Sequence, residues 1–146
     1  MKRSLPFLVL LACWLVTSGC ASGPKFREVS GTFPALGTDE GRIYIYRTTT
    51  FGGAIQPSVR LDEQRVGKAI PKGFFFVDRS PGGYQIATST EVDRTLSLTL
   101  EQGQIRFVRL DVSMGFMVGH VYPVLVDDAV GKKEIENCSY TGTSGK

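Results

Sequence analysis

Few residues of this 146-residue chain are equipped for chemistry: Cys13, Cys20, Cys138, His120 and the adjacent carboxylates Asp127 and Asp128. A cysteine nucleophile needs a neighbouring base or positive charge to hold it as thiolate. His120 is the single histidine, and no sequence pattern ties it to Cys138. A single histidine does not make a multi-histidine metal site, so His120 reads as a hairpin residue. Asp127-Asp128 has two readings, a weak cation site and a helix cap, and the cap is favoured. GxSxG, a phosphate loop, CxxC and HExxH do not occur in the sequence. The expectation is therefore a protein that is not an enzyme and carries neither cofactor nor metal. The clearest chemistry belongs to Cys20. The small residues Thr17, Ser18 and Gly19 lead into it and leave it sterically accessible.

The elements that would deliver Cys20 to such chemistry lie just before it. Lys2 and Arg3 precede an apolar run from Ser4 to Val16, 13 residues long. A spanning helix needs roughly 20 apolar residues, so residues 1–19 read as a signal peptide. Val16-Thr17-Ser18-Gly19-Cys20 resembles the bacterial lipobox, with Thr17 where Leu is usual. The resemblance implies cleavage between Gly19 and Cys20, a diacylglyceryl group on the Cys20 sulfur and acylation of the freed amine. Leu10-Leu11-Ala12-Cys13 is a rival site. Cleavage there leaves an apolar run of only nine residues and strands Trp14, Leu15 and Val16 on the mature chain, so Cys20 is favoured. The remaining alternative is an ordinary signal peptide in which Cys20 is incidental. Each buried methylene contributes ~0.8 kcal/mol, and two or more acyl chains, of palmitate type, hold a protein stably at a bilayer. Ala21 rather than Asp follows Cys20. In a Gram-negative cell that implies sorting to the outer membrane, on its periplasmic side.

Net charge is +3, but Lys2 and Arg3 leave with the signal peptide, and the remainder sits near +1. That argues against nucleic acid, whose phosphates call for a net or clustered positive field. Cys138 is then the single cysteine not consumed by lipid. The domain must be stable without an intrachain disulfide, and Cys138 reads as a small buried apolar residue.

Residues 20–41 hold Gly, Pro, Ser and Thr with no sustained period and read as the lipidated Cys plus a flexible tether. Such a tether spans roughly 25 Å, with Phe26, Phe33 and Leu36 partly docked. From Arg42 to Cys138 the pattern is β. Arg42–Arg47 alternates, as does Val59–Asp62. Glu63-Gln64 sits at a tight turn, and Arg65–Ile70 returns. Phe74–Val77 is apolar on both faces. Ser80-Pro81-Gly82-Gly83 turns the chain. Tyr84 and Ile86 share one strand face, and Leu96, Leu98 and Leu100 share the next. In Ile105–Val112 the apolar face switches between Phe107 and Val108, which suggests a bulge or a strand passing between sheets. Val121–Val126 is the last strand. Arg106, Arg109 and Asp111 read as solvated. Seven to eight short strands at this spacing predict a mainly β, antiparallel sandwich. A short C-terminal helix follows, capped by Asp127 or Asp128, with Val130 and Ile135 as its apolar contacts. Residues 139–146 read as a polar, disordered tail.

Pro57–Thr88, PSVRLDEQRVGKAIPKGFFFVDRSPGGYQIAT, is similar to the PEGA-type pattern of small extracytoplasmic sandwich domains: strand, tight turn, Val-Gly, aromatic strand, Pro-Gly turn, Tyr and strand. With the lipobox, the Arg42–Arg47 strand and Tyr122–Val126 followed by two acids, the chain resembles a family of short bacterial lipoproteins of unknown function (DUF type). Glu63-Gln64 departs from the Asn-Gly that members often carry. The resemblance implies a β-sandwich and no catalytic residues. Ser113–Gly119, SMGFMVG, is an apolar connection between glycines. Met114, Phe116 and Met117 either fold back to cap the sandwich or present an adaptable contact surface to protein or lipid. The function expected is a membrane-anchored, non-catalytic module that binds another cell-envelope component. The alternative is a small-ligand or glycan-binding module that stacks on Tyr44, Tyr46 and Phe75.

Overall fold

A computed structural model describes residues 19–90, 93–115 and 119–142. Residues 1–18 of the expected signal peptide, and Phe116 and Met117 of the apolar connection, lie outside the described residues. The strands are β1 Gly41–Tyr46, β2 Ser58–Leu61, β3 Gln64–Lys68, β4 Gly73–Arg79, β5 Gly82–Ser89, β6 Asp93–Leu100, β7 Ile105–Met114, β8 Gly119–Val126 and β9 Ser139–Tyr140. A one-turn helix α1, Phe26–Val29, runs into a 3₁₀ turn at Ser30–Thr32, and helix α2 spans Asp128–Ile135. One sheet has the order β8-β7-β1-β4-β9 and the other β3-β2-β5-β6. The two face each other as a sandwich, mainly β as the alternating patterns require, with one strand more than the seven to eight expected.

Most pairs are antiparallel, as expected, and β1–β7 and β4–β9 are parallel. The reason is topological. Each strand from β1 to β8 reverses its predecessor, so β1 and β7, six strands apart, run the same way. Sheet order then sets them side by side. The crossover rule for parallel pairs is met because the whole second sheet lies between them in sequence.

Two apolar layers result. Between the sheets lie Ile43, Ile45, Val59, Leu61, Phe75, Val77, Ile86, Leu98, Leu100, Val108 and Leu110. On the outer face of the first sheet lie Tyr44, Tyr46, Phe74, Phe76 and Phe107, covered by Ile135, Cys138, Phe26, Phe33 and Tyr140. This doubled burial explains the unbroken Phe74-Phe75-Phe76-Val77 run. It also corrects the reading of Phe107-Val108. Phe107 faces the outer layer and Val108 the inner one, and the β7–β8 register is continuous from Phe107↔Val126 to Met114↔Gly119. The face switches because both faces are covered at that point. The ladder irregularity lies elsewhere, between Val59 and Arg60 in the β2–β3 pair.

The tight turn sits one residue earlier than expected. Its central residues are Asp62 (φ 45°) and Glu63 (φ 70°), the left-handed pair that a two-residue hairpin demands and that Asn-Gly usually supplies. Asp62 compensates by bonding to β5: its N–H donates to Gln85 O at 2.9 Å, and its Oδ1 accepts from Gln85 N–H at 2.8 Å.

Both chain ends correct the sequence reading. Residues 20–41 are not a free tether over their first half. Ala21 N–H donates to Pro71 O at 3.0 Å and Phe26 N–H to Cys138 O at 2.9 Å, and Lys25 forms a β-bridge with Ser139. Aromatic burial supplies the driving force: Phe26 meets Tyr44 edge-on at 5.3 Å, and Phe33 meets Phe76 at 4.8 Å. Residues 139–142 are not a frayed tail either. Ser139 and Tyr140 form β9 against Gly73 and Phe74, and residues 143–146 lie outside the described residues. At the N-terminus of α2 Asp127 is the cap residue by position, but its side chain makes no cap hydrogen bond. Ile135 is buried, whereas Val130 is exposed and Gly131 takes the inward position instead.

Candidate functional site

The residues singled out for chemistry are scattered. Cys20 is exposed and Cys138 buried, both as free thiols. The Cys138 Sγ faces Arg47 O at 3.7 Å and Glu134 O at 3.9 Å. His120 lies in β8, its Nδ1 3.3 Å from Thr90 Oγ1, so its ring is engaged there and not with Cys138. Among the described residues no three of His, Cys, Asp and Glu converge as a metal would require. Tyr44, Tyr46 and Phe75 are all buried, so they build the core and offer no stacking surface. Met114, at the end of β7, is 72% exposed.

Burial pushes the Cys138 thiol up to about 11 from 9.0. The folded state thus holds the proton where the unfolded chain has lost it, and by linkage stability falls as pH rises from 9 towards 11. The expected result is a downward slope in urea-unfolding free energy over that window, flatter in Cys138→Ala. Iodoacetamide at pH 8 should label Cys138 only after denaturation.

Sequence patterning missed a polar cluster under α2. The Tyr46 hydroxyl donates to Glu134 Oε2 at 2.7 Å. Arg109 Nη1 donates to Glu134 Oε1 at 2.8 Å and Oε2 at 3.1 Å. Arg109 Nε and Nη2 donate to Asp111 at 2.7 and 3.0 Å. Arg109 and Asp111 are therefore engaged rather than merely solvated. Burial first, then Glu134, pushes the Tyr46 phenol above its usual range, so it serves as a neutral donor. Both Glu134 oxygens and both Asp111 oxygens accept hydrogen bonds. The cluster fastens α2 to the sheet.

A second ion pair shapes a groove. Arg42 meets Asp78 in a two-point fork, Nε–Oδ1 2.6 Å and Nη2–Oδ2 2.7 Å, and Nη2 also donates to Pro34 O at 2.9 Å. The guanidinium lies 4.3 Å from the Phe76 ring centroid. Asp78 raises the Arg42 pKa above its ordinary value, so the cation is permanent. It pins residues 33–35 over β4. Beneath that arch is a largely apolar cavity of about 660 Å³, whose lining includes Val29, Phe33, Phe76, Val77, Asp78 and Tyr140.

The backbone of β4 supplies the groove's polarity. Arg47 N–H donates to Gly73 O at 2.9 Å, and β1 and β4 pair as Ile45↔Phe75 and Ile43↔Val77. Antiparallel alternation therefore turns the N–H and C=O of residues 73, 75, 77 and 79 towards β1, and those of 74, 76 and 78 outward. Phe74 O accepts from Thr141 N–H at 3.0 Å, but β9 ends there. Asp78 O accepts from Arg79 Nη1. Among the described residues no donor or acceptor meets the Phe76 N–H, the Phe76 C=O or the Asp78 N–H. Val77 lines the cavity although its side chain faces the inner core, which shows that the cavity reaches the strand backbone. Phe33 was legible as a docking residue. Tyr140 and the open edge were not, because an edge is defined by which partner strand stops short.

The matches to known proteins agree with this frame. An uncharacterised protein of Haemophilus influenzae is 29% identical over 126 residues, covering 83% of this chain and 75% of that protein. Residues 37–122, from the turn before β1 into β8, match the model of a family described as protein of unknown function, DUF2846. With more than half its length in that match, the chain belongs to the DUF2846 family.

Proposed function

We propose that this protein is a bacterial lipoprotein acylated on Cys20 and held at the periplasmic face of the outer membrane. Its non-catalytic sandwich binds an extended segment of another envelope protein along the β4 edge. The observation that carries the reading is the unpaired Phe76–Asp78 backbone inside an apolar groove. Unpaired strand edges recruit extended chains by adding a strand, with main-chain hydrogen bonds for affinity and apolar pockets for alternate side chains. Phe33, Phe76 and Tyr140 line such a pocket. The exposed Cys20 thiol, with small residues before it, supports the anchor.

The test is photocrosslinking in intact cells from a benzoyl-phenylalanine placed at Ala35, an exposed residue of the groove lining. Val130 on α2 serves as the exposed control. Adducts with one envelope protein are expected from Ala35 and not from Val130. Equal or absent adducts at the two positions count against the groove. Cys20→Ser should abolish acyl labelling; labelling that persists would move the attachment to Cys13.

A further inference from the structure

The strands divide the sandwich into two ends, and the chain enters at one of them. Gln56 Nε2 donates to Gly19 O at 2.9 Å, and Ala21 N–H donates to Pro71 O at 3.0 Å. Cys20 therefore sits between two residues that are both hydrogen-bonded to the domain. Its neighbours in a shallow cavity are Gln56, Ile70 and Tyr140. No tether intervenes. With consecutive Cα atoms 3.8 Å apart, acyl chains on Cys20 leave directly from the sandwich, and whatever surrounds that end meets the bilayer.

What surrounds it is apolar and basic. The connections at this end are those leaving β1, β3, β5 and β7, by strand direction. The first carries Phe51, 53% exposed, and β7 ends at Met114, 72% exposed. The two segments are packed together: a methyl group built on Gly52 would stand 3.1 Å from Val112 Cγ1. The connection leaving β3 presents Lys68 and Lys72, both exposed. The opposite end has the opposite character. Its turns carry the exposed acids Asp39, Asp62, Glu63, Glu101 and Asp127. Lys68 and Lys72 thus lie at the Cys20 end, and these five carboxylates lie at the far end with Arg65 among them.

We infer that the Cys20 end of the sandwich is a membrane-contact face, seated on an anionic phospholipid surface with Phe51 and Met114 in the interfacial layer. The inference rests on Cys20 acylation. Basic side chains are attracted to an anionic surface, and aromatic side chains favour the head-group region. Seated this way, the part of the groove lined by Gly37, Glu40 and Asp78 lies on the side away from the bilayer, where an envelope partner can reach it.

The test exploits the sequence. Trp14 is the single tryptophan of the chain and lies in the segment removed on processing. Phe51→Trp therefore installs a lone reporter at an exposed position. The intact acylated protein is placed in phosphatidylglycerol–phosphatidylcholine vesicles with shallow nitroxide-labelled lipid. Phe51→Trp emission should shift to the blue and lose about half its intensity, as an aromatic ring in the interfacial belt would. Leu125→Trp, exposed at the far end, should do neither, and Met114→Trp should follow Phe51→Trp. Acylated protein whose Phe51→Trp signal is no more quenched than Leu125→Trp overturns the contact face and leaves the anchor standing. A mass spectrum without acyl chains on Cys20 overturns the anchor, and the face with it.

Discussion

Arg47→Ala is expected to destabilise the domain by about 4 kcal/mol or more, a large part of the 5–15 kcal/mol that holds a typical domain together. Arg47 is fully buried. Its Nη1 donates to Ile55 O and Ala69 O, both at 2.8 Å. Its Nη2 donates to Phe51 O at 2.6 Å and Gly52 O at 3.0 Å. One guanidinium thus ties the end of β1 to the connection that follows and to the end of β3. No carboxylate bonds to it among the described residues, its Nε has no partner, and burial lowers its pKa. The carbonyls repay that desolvation, and hydrogen bonds to a charged group are worth about 1.5–3 kcal/mol each when removal leaves buried partners unmet. Arg47→Met keeps the apolar stem and should recover only the packing share. Arg47→Lys should also fail, because an ammonium is a point donor without the planar fork. Urea unfolding gives the free energies, and limited proteolysis near Phe51 reports the released connection. An Arg47→Met protein as stable as wild type would show that the charge, not the clamp, sets the balance.

Gly131→Val should cost about 3 kcal/mol through overpacking. A Cβ at Gly131 would overlap Phe107 Cγ and Cβ, and these are atoms near the backbone that cannot swing aside. The helix would have to lift off β7 and give up the Tyr46–Glu134 and Arg109–Glu134 bonds. Glycine in a helix is unfavourable by about 1 kcal/mol relative to alanine, so close packing has overridden propensity here. Phe107→Ala should rescue Gly131→Val in part, since residues in contact give non-additive free energies. Strict additivity of the two substitutions would refute the contact as the cause.

Both predictions turn on residues whose importance the chain order hides. Gly131 looks like a helix weakener, and Arg47 looks like the polar end of an alternating strand. The strands themselves were legible, because Arg42–Tyr46, Leu96–Leu100 and Val121–Val126 carry the two-residue period of a half-covered surface. So was the Ser80–Gly83 turn, through its Pro and Gly. The tight turn was misplaced by one residue because Asp62 and Glu63 adopt left-handed angles without Gly or Asn, and the Gln85 bonds that secure them come from another strand. The Phe107-Val108 switch was visible but misread, since periodicity cannot distinguish a bulge from cover on both faces. The groove was the least legible part. Phe33 reads as docked but not where, Tyr140 reads as tail, and the open Phe76–Asp78 edge exists only because β9 stops at Tyr140.

By itself the sequence determined the strands, most of the turns, the single short helix near the end and the small-residue approach to Cys20. All are local patterns, set within a few residues by side-chain period and backbone preference. The tertiary structure alone decided which strands lie side by side, that β1 and β4 are buried on both faces, that the N-terminal segment docks rather than dangles, and which strand edge stays open. Those outcomes depend on contacts between residues far apart in the chain. An apolar face dictates that something must cover it, but only packing selects what does.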